Sequence, residues 1–189
     1  SRWKVRHNPC SAEEKIHDAM LKVEGAFQKV LKAVDLCLDA GVEVRYNCVL
    51  TTVNLDGVVD LVEFVARRFD QENAHVCLSF ISVQGWALDH PELIPRLSAA
   101  APRMAAALDA SRRLGLHARV PGLCGVPLCV LPGYEEQFDE FHDTSQPPEL
   151  SARSYVPACG RCPYRLRCSG YWAAYLERFG DEELGYRGP

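Results

Sequence analysis

Along the first 120 residues the apolar positions switch repeatedly between a helical and an alternating period. Trp3 and Val5 alternate with charged residues, which predicts a short strand ending near Asn8. Ser11 followed by Glu14 has the capping-box pattern, so a helix should start there and carry His17-Asp18 as an exposed pair. Gly25 interrupts it. Phe27, Val30, Leu31, Val34 and Leu38 then recur at helical spacing until Gly41. Residues 42–50 read as a strand entering a core, and Asn54 is placed to cap a helix burying Val58, Leu61, Val62, Val65 and Phe69. Residues 75–81 form the next strand. Ser98 opens an alanine-rich helix whose large apolar residues are Met104, Leu108 and Leu114, Gly115 ends it, and residues 116–120 form a further strand.

Helix and strand alternating with short connections predict an α/β fold, in which parallel strands joined by right-handed crossovers make a sheet or a barrel wall. Function in such sheets gathers at the C-terminal strand ends. Those ends fall here at Asn8 and at residues 47–54, 81–85 and 121–132. Beyond Pro121 the pattern changes. Glycine, proline and cysteine dominate as far as Gly133, and a short acidic helix is expected over 134–142. A loop follows over 143–157, then a helix over about 169–179, where Tyr171, Trp172 and Tyr175 should pack against the preceding loop. The expected division is therefore 1–120 for the partial (β/α) unit and 121–189 for a small cysteine-rich domain.

Composition narrows the classes. At 189 residues and 48% hydrophobic the chain can bury a core, and its net charge of −4 comes from interspersed signs without a basic run. No nucleic-acid partner is expected. No apolar run reaches the roughly 18–20 residues of a membrane span, and no signal peptide is visible, so no membrane association is expected either. The nine cysteines are unevenly placed: Cys10, Cys37, Cys48 and Cys77 stand singly, whereas Cys124, Cys129, Cys159, Cys162 and Cys168 crowd the last third. A secreted disulfide scaffold would be smaller and more evenly stapled. Reduced thiols in a cytoplasmic, metal-binding protein fit better.

Cys159, Cys162 and Cys168 stand in a C-x2-C-x5-C spacing. The C-x2-C pair lets two thiolates converge on one metal, the third closes a face, and Cys124 or Cys129 can supply a fourth. Four thiolates suit an iron–sulfur cluster or a structural zinc, and spacing alone does not separate the two.

Several segments taken in order resemble a known family. His17-Asp18, Gly25-Ala26-Phe27, Gly41-Val42, Val49-Leu50-Thr51 and Asn54 resemble the second half of the radical S-adenosylmethionine barrel, and Phe80-Ile81 with Gly85 resembles its following strand. The three-cysteine segment with Gly170, Tyr175 and Gly180 resembles the auxiliary-cluster domain, of SPASM or twitch type, that many of these enzymes carry. The resemblance runs from about Lys4 to Glu183. It implies an auxiliary [4Fe–4S] cluster held by Cys159, Cys162, Cys168 and Cys129. Cys129 is preferred over Cys124 because Pro127-Leu128 stiffen its approach and the family tends to place a cysteine after such a segment. It also implies that Arg6, His7, Asn47, Val49 and Ile81 lie where the family contacts S-adenosylmethionine.

The C-x3-C-x2-C loop that holds the reducing cluster in this family is absent from the sequence. The chain is therefore expected to be the later part of such an enzyme, inactive alone, with S-adenosylmethionine bound only by the complete protein. The resemblance further implies a peptide or small-molecule substrate and a flavodoxin or ferredoxin as reductant. The competing expectations are a non-catalytic, zinc-stabilised α/β interaction module, and a flavodoxin-like domain with incidental cysteines.

Overall fold

The computed structural model describes residues 4–69, 74–123, 126–143 and 151–185. Strand β1 (Lys4–His7) leads into helix α1 (Glu14–Leu21) and then α2 (Ala26–Asp39). Next come β2 (Glu43–Leu50), α3 (Val58–Arg68), β3 (Ala74–Phe80), the short α4 (Trp86–Asp89), α5 (Leu97–Arg113) and β4 (His117–Arg119). A short helix α6 (Asp139–His142), strands β5 (Arg153–Ser154) and β6 (Tyr171–Trp172), and helix α7 (Ala173–Phe179) complete the chain. The fold is mixed α/β around a four-stranded parallel sheet in the order β1-β2-β3-β4.

Each strand pairs with the one before it, so every crossover steps in the same direction. Crossovers of one hand then place the connecting helices on one face of the sheet. Core packing agrees. Val44, Tyr46, Cys48 and Leu50 of β2 and Val76, Leu78 and Phe80 of β3 are buried in one cluster with Val34 of α2, Leu61 and Val65 of α3, and Met104 of α5. The alternate residues of the same strands turn the other way. That second face is polar: Arg6, Asn8, Arg45, Asn47, His75, Cys77, Ser79, His117 and Arg119 share it by register.

Three local expectations are corrected. Ser11 does not form a capping box, because its Oγ accepts the Glu13 N–H at 3.0 Å and α1 starts only at Glu14. His17-Asp18 is not an exposed pair. His17 is fully buried, its Nδ1 accepts the Cys10 N–H at 3.1 Å, and its ring meets Phe27 edge-on at 5.5 Å. The Asp18 carboxylate accepts the N–H groups of Gly25 at 2.6 Å and Phe27 at 2.8 Å, thereby capping α2. Asn54, finally, caps no helix. Its Nδ2 donates to the carbonyls of Cys10 at 2.8 Å and Val49 at 2.9 Å, and its Oδ1 accepts the Thr51 N–H at 2.8 Å. It thus ties the loop after β1 to the loop after β2.

The sequence on either side of residue 120 shares one core. Phe80 at the end of β3 meets the rings of Tyr171 and Tyr175 at 6.4 and 6.3 Å. The buried Tyr175 hydroxyl accepts the Leu97 N–H at the start of α5, at 2.8 Å, and donates to Glu183. Glu183 also accepts from Arg96 Nε at 3.2 Å, from the Ser98 N–H at 3.2 Å and from the Ser98 hydroxyl. One carboxylate therefore anchors the end of the described chain to the N-terminus of α5, where helix amides need acceptors. Where a helix was expected over 169–179, β6 comes first and α7 occupies only Ala173–Phe179.

Candidate metal centre

β5 and β6 pair antiparallel, Arg153 opposite Trp172 and Ser154 opposite Tyr171, and so form the stem of a loop that must fold back on itself. Successive tight turns do this. The N–H of Cys159 donates to the Val156 carbonyl at 2.9 Å, that of Cys162 to Cys159 at 3.2 Å, and that of Cys168 to Tyr164 at 2.9 Å. A 3-10 turn covers Pro157–Arg161. With three residues per turn, positions i and i+3 eclipse, which is why a C-x2-C pair presents both thiols along one edge. Cys129 arrives separately, in the 3-10 turn Leu128–Val130 that follows Pro127.

Cys129, Cys159, Cys162 and Cys168 all line one small cavity, of about 20 Å³. All four are free thiols. Burial pushes the Cys168 thiol up to about 12, although backbone N–H groups of Gly170 and Leu128 at its sulfur favour the thiolate. Burial likewise raises Cys129, opposed by the Gly185 N–H and reinforced by the neighbouring sulfurs of Cys162 and Cys159. Buried sulfurs with amide donors already turned toward them hold protons only until a cation displaces them, since a coordinated thiol is deprotonated. This donor set fits a metal centre. Among the described residues no three His, Cys, Asp or Glu side chains are drawn close enough to hold a single ion. Around one zinc each sulfur would stand at about 2.3 Å from the metal. Cys124, the other candidate for the fourth ligand, lies outside the described residues.

The walls of the cavity are braced by Gly170, part of the resemblance, and by residues without a sequence signature. Gly170 has φ +76°, and a Cβ there would sit 2.7 Å from the Ser154 carbonyl oxygen and 3.3 Å from the Tyr155 ring. Glu140 accepts the Ser169 hydroxyl at 2.7 Å and the Leu123 N–H at 3.0 Å. Arg153 donates to the Ser169 hydroxyl at 2.8 Å and the Leu123 carbonyl at 2.6 Å, with its guanidinium 4.3 Å from the Trp172 ring centre. Held from both sides, Leu123 adopts a left-handed φ of 63°. Of the three arginines in the cysteine loop, Arg165 stacks on Tyr155 at 3.3 Å and Arg167 donates to the Phe141 carbonyl at 2.6 Å, while Arg161 is exposed.

The residues expected at S-adenosylmethionine do not all share one place. Arg6, Asn47 and Val49 belong to the polar sheet face, where Asn47 Nδ2 donates to Asn8 Oδ1 at 3.1 Å and Ser79 Oγ donates to Asn47 Oδ1 at 2.7 Å. Ile81 follows β3 and is half-buried. His7 is in register with Tyr46 on the helix-covered face, and its Nε2 is buried without a partner. Neighbours on a strand point to opposite faces, so Arg6 and His7 cannot both project into one cavity.

Comparisons with protein-family models, with curated proteins and with solved structures give no match to this chain. No helix among the described residues is long and apolar enough to cross a membrane.

Proposed function

We propose that this chain is the later part of a radical S-adenosylmethionine enzyme. Its cysteine-rich segment would carry an auxiliary [4Fe–4S] cluster, and its sheet would contribute late strands to a barrel whose interior is the polar face. The observation that carries the reading is the convergence of Cys129, Cys159, Cys162 and Cys168 on one cavity. Four thiolates suit an iron–sulfur cluster or a structural zinc, and the resemblance favours the cluster. A cluster with four protein ligands would supply electron transfer or local rigidity, having no open iron. The chain's own residues do the rest. The amides of Gly170, Leu128 and Gly185 stabilise negative sulfur, Glu140 and Arg153 fix the loop, and Tyr155 and Tyr171 wall the cavity.

The strand order and the one-sided helices support the barrel reading, because a doubly wound sheet would place helices on both faces. Arg6, Asn47, Val49 and Ile81 remain the residues offered to S-adenosylmethionine in the complete enzyme. A peptide or small molecule remains the substrate class, and a flavodoxin or ferredoxin the reductant. Without the C-x3-C-x2-C loop this chain alone does not cleave S-adenosylmethionine, and 5′-deoxyadenosine formed by the isolated chain would refute that.

Iron, sulfide and zinc content of anaerobically purified protein tests the reading. About four irons and four sulfides per chain, with broad visible absorption, are expected. One zinc and no colour after iron and sulfide reconstitution would replace it with the zinc-stabilised module.

A further inference from the structure

The polar sheet face contains a second cluster, nearer the strand starts than Val49 and Ser79. Register places Arg6, Arg45, His75 and His117 in one row across all four strands, with Cys77 and Arg119 in the next. Glu43, Arg45, His75, Cys77, His117 and Arg119 line a depression of about 160 Å³. His75 and His117 meet edge to face at 5.2 Å.

Charge and donor supply in this depression favour an anion. Two guanidinium groups, those of Arg45 and Arg119, line it against the one carboxylate of Glu43, with Arg6 beside Arg45 in register and Asp139 paired to Arg119. Arg45 engages Glu43 through Nε at 3.3 Å, and Arg119 engages Asp139 through Nη1 at 2.9 Å. A guanidinium has five N–H donors, so each arginine keeps donors beyond those in its ion pair. Two imidazoles stand beside them, and His75 also lies 3.7 Å from Glu43. Burial and the neighbouring His117 keep the His75 pKa below its usual value, so an anion beside it would favour its charged form.

From this cluster we propose a phosphate-binding site, formed by Arg45 and Arg119 with His75 and His117, that takes inorganic phosphate or the phosphate group of a small monoester. Two planar forks flanking two imidazole rings match a tetrahedral dianion, which accepts several hydrogen bonds at once. The site is separate from the thiol cavity and does not depend on which metal that cavity holds.

The test follows the imidazole resonances of His75 and His117 by NMR in the full chain, titrated with inorganic phosphate at constant ionic strength. Saturable shifts of both rings are expected, with His75 titrating at higher pH once phosphate is bound. Arg45→Gln and Arg119→Gln should each weaken binding about tenfold or more, the effect of one lost charge-assisted contact. Arg67→Gln, on α3 at an exposed pair with Glu63, should leave it unchanged. The pairs of Arg45 and Arg119 are partly exposed, so neither variant should threaten folding. A parallel titration with methyl phosphate separates the sources. Tighter binding of the monoester identifies an organic phosphate, and tighter binding of inorganic phosphate identifies the free ion. Absence of saturable shifts, equal shifts with acetate, or undiminished binding in the Arg45→Gln/Arg119→Gln double variant would overturn the proposal.

Discussion

Glu183 offers the sharpest test of how the cysteine-rich segment is held. Its side chain is only 10% exposed and accepts from Arg96, from the Ser98 amide and hydroxyl, and from the Tyr175 hydroxyl. Glu183→Ala removes all of these acceptors at once. Arg96 is about half exposed and regains water, so its ion pair counts for little. The Tyr175 hydroxyl proton is different, because Tyr175 is fully buried and, among the described residues, Glu183 is its acceptor. A buried unsatisfied donor costs about 1–3 kcal/mol, and the stranded Ser98 amide at the helix start adds about 1 kcal/mol. A total of about 2–4 kcal/mol is expected. Urea unfolding at neutral pH reads it directly: with m near 1–3 kcal/mol/M, the midpoint should fall by about 1–2 M at unchanged slope. Burial alone would raise the Glu183 pKa, but the hydrogen bonds from Ser98 and Tyr175, with Arg96, hold it below the usual carboxylate range. A depressed folded pKa gives stability that is present above the unfolded value, near 4.5, and is lost as pH falls through the folded value. The gap between wild type and Glu183→Gln should therefore close below about pH 4.5. A loss under about 0.5 kcal/mol for Glu183→Ala at neutral pH would refute the anchoring role.

Other outcomes follow from the same geometry. Cys162→Ala should abolish the metal and its chromophore and loosen residues 157–179, whereas Cys37→Ala, on α2, should keep full metal content; metal analysis and hydrogen exchange check both. Gly170→Ala combines a left-handed φ with a backbone clash at 2.7 Å and should cost about 2–4 kcal/mol by chemical denaturation, with the loss of protection centred on β5 and β6. His17 is kept neutral chiefly by burial, which outweighs the Asp18 charge. Its folded pKa lies below its unfolded one, so its contribution is complete above about pH 6.5 and declines as pH falls below that value; NMR titration should find its ring neutral well below that pH. Asn54→Ala leaves the part-buried Cys10 and Val49 carbonyls and the buried Thr51 amide without this partner and should cost about 2–3 kcal/mol in the same assay.

Periodicity made the sheet readable. The strict alternation of burial along β2 is what residues 43–50 spell out, and α3 buries the positions that its spacing marks, whereas Val30, Leu31 and Leu38 of α2 and Leu114 after α5 are only partly buried. Polar roles were less legible, because a hydrogen bond across the fold leaves no period. Asp18 and Asn54 look like ordinary helix and cap residues, yet each serves backbone amides or carbonyls of another segment. Ser98 and Glu183 meet across most of the second half of the chain. At the cysteine loop the spacing identified the ligand candidates, since an i, i+3 pair reflects local turn geometry. It said nothing of Glu140, Arg153 or Ser169, which brace the loop from three separate segments. The strand-end residues were located by element and not by face, and Arg6 and His7 parted on that distinction.

The aromatic seam between Phe80, Tyr171 and Tyr175 bears on modular exchange. A cysteine-rich tail joined through a linker could be moved to another α/β body like a cartridge. This one could not. Its recipient would have to offer a ring at the end of its third strand, and an open helix start with an arginine and a serine to receive Glu183. Recombination that cuts near residue 120 therefore breaks a packed interior, and swaps that keep α5 and β3 with their own tail should outlive those that do not.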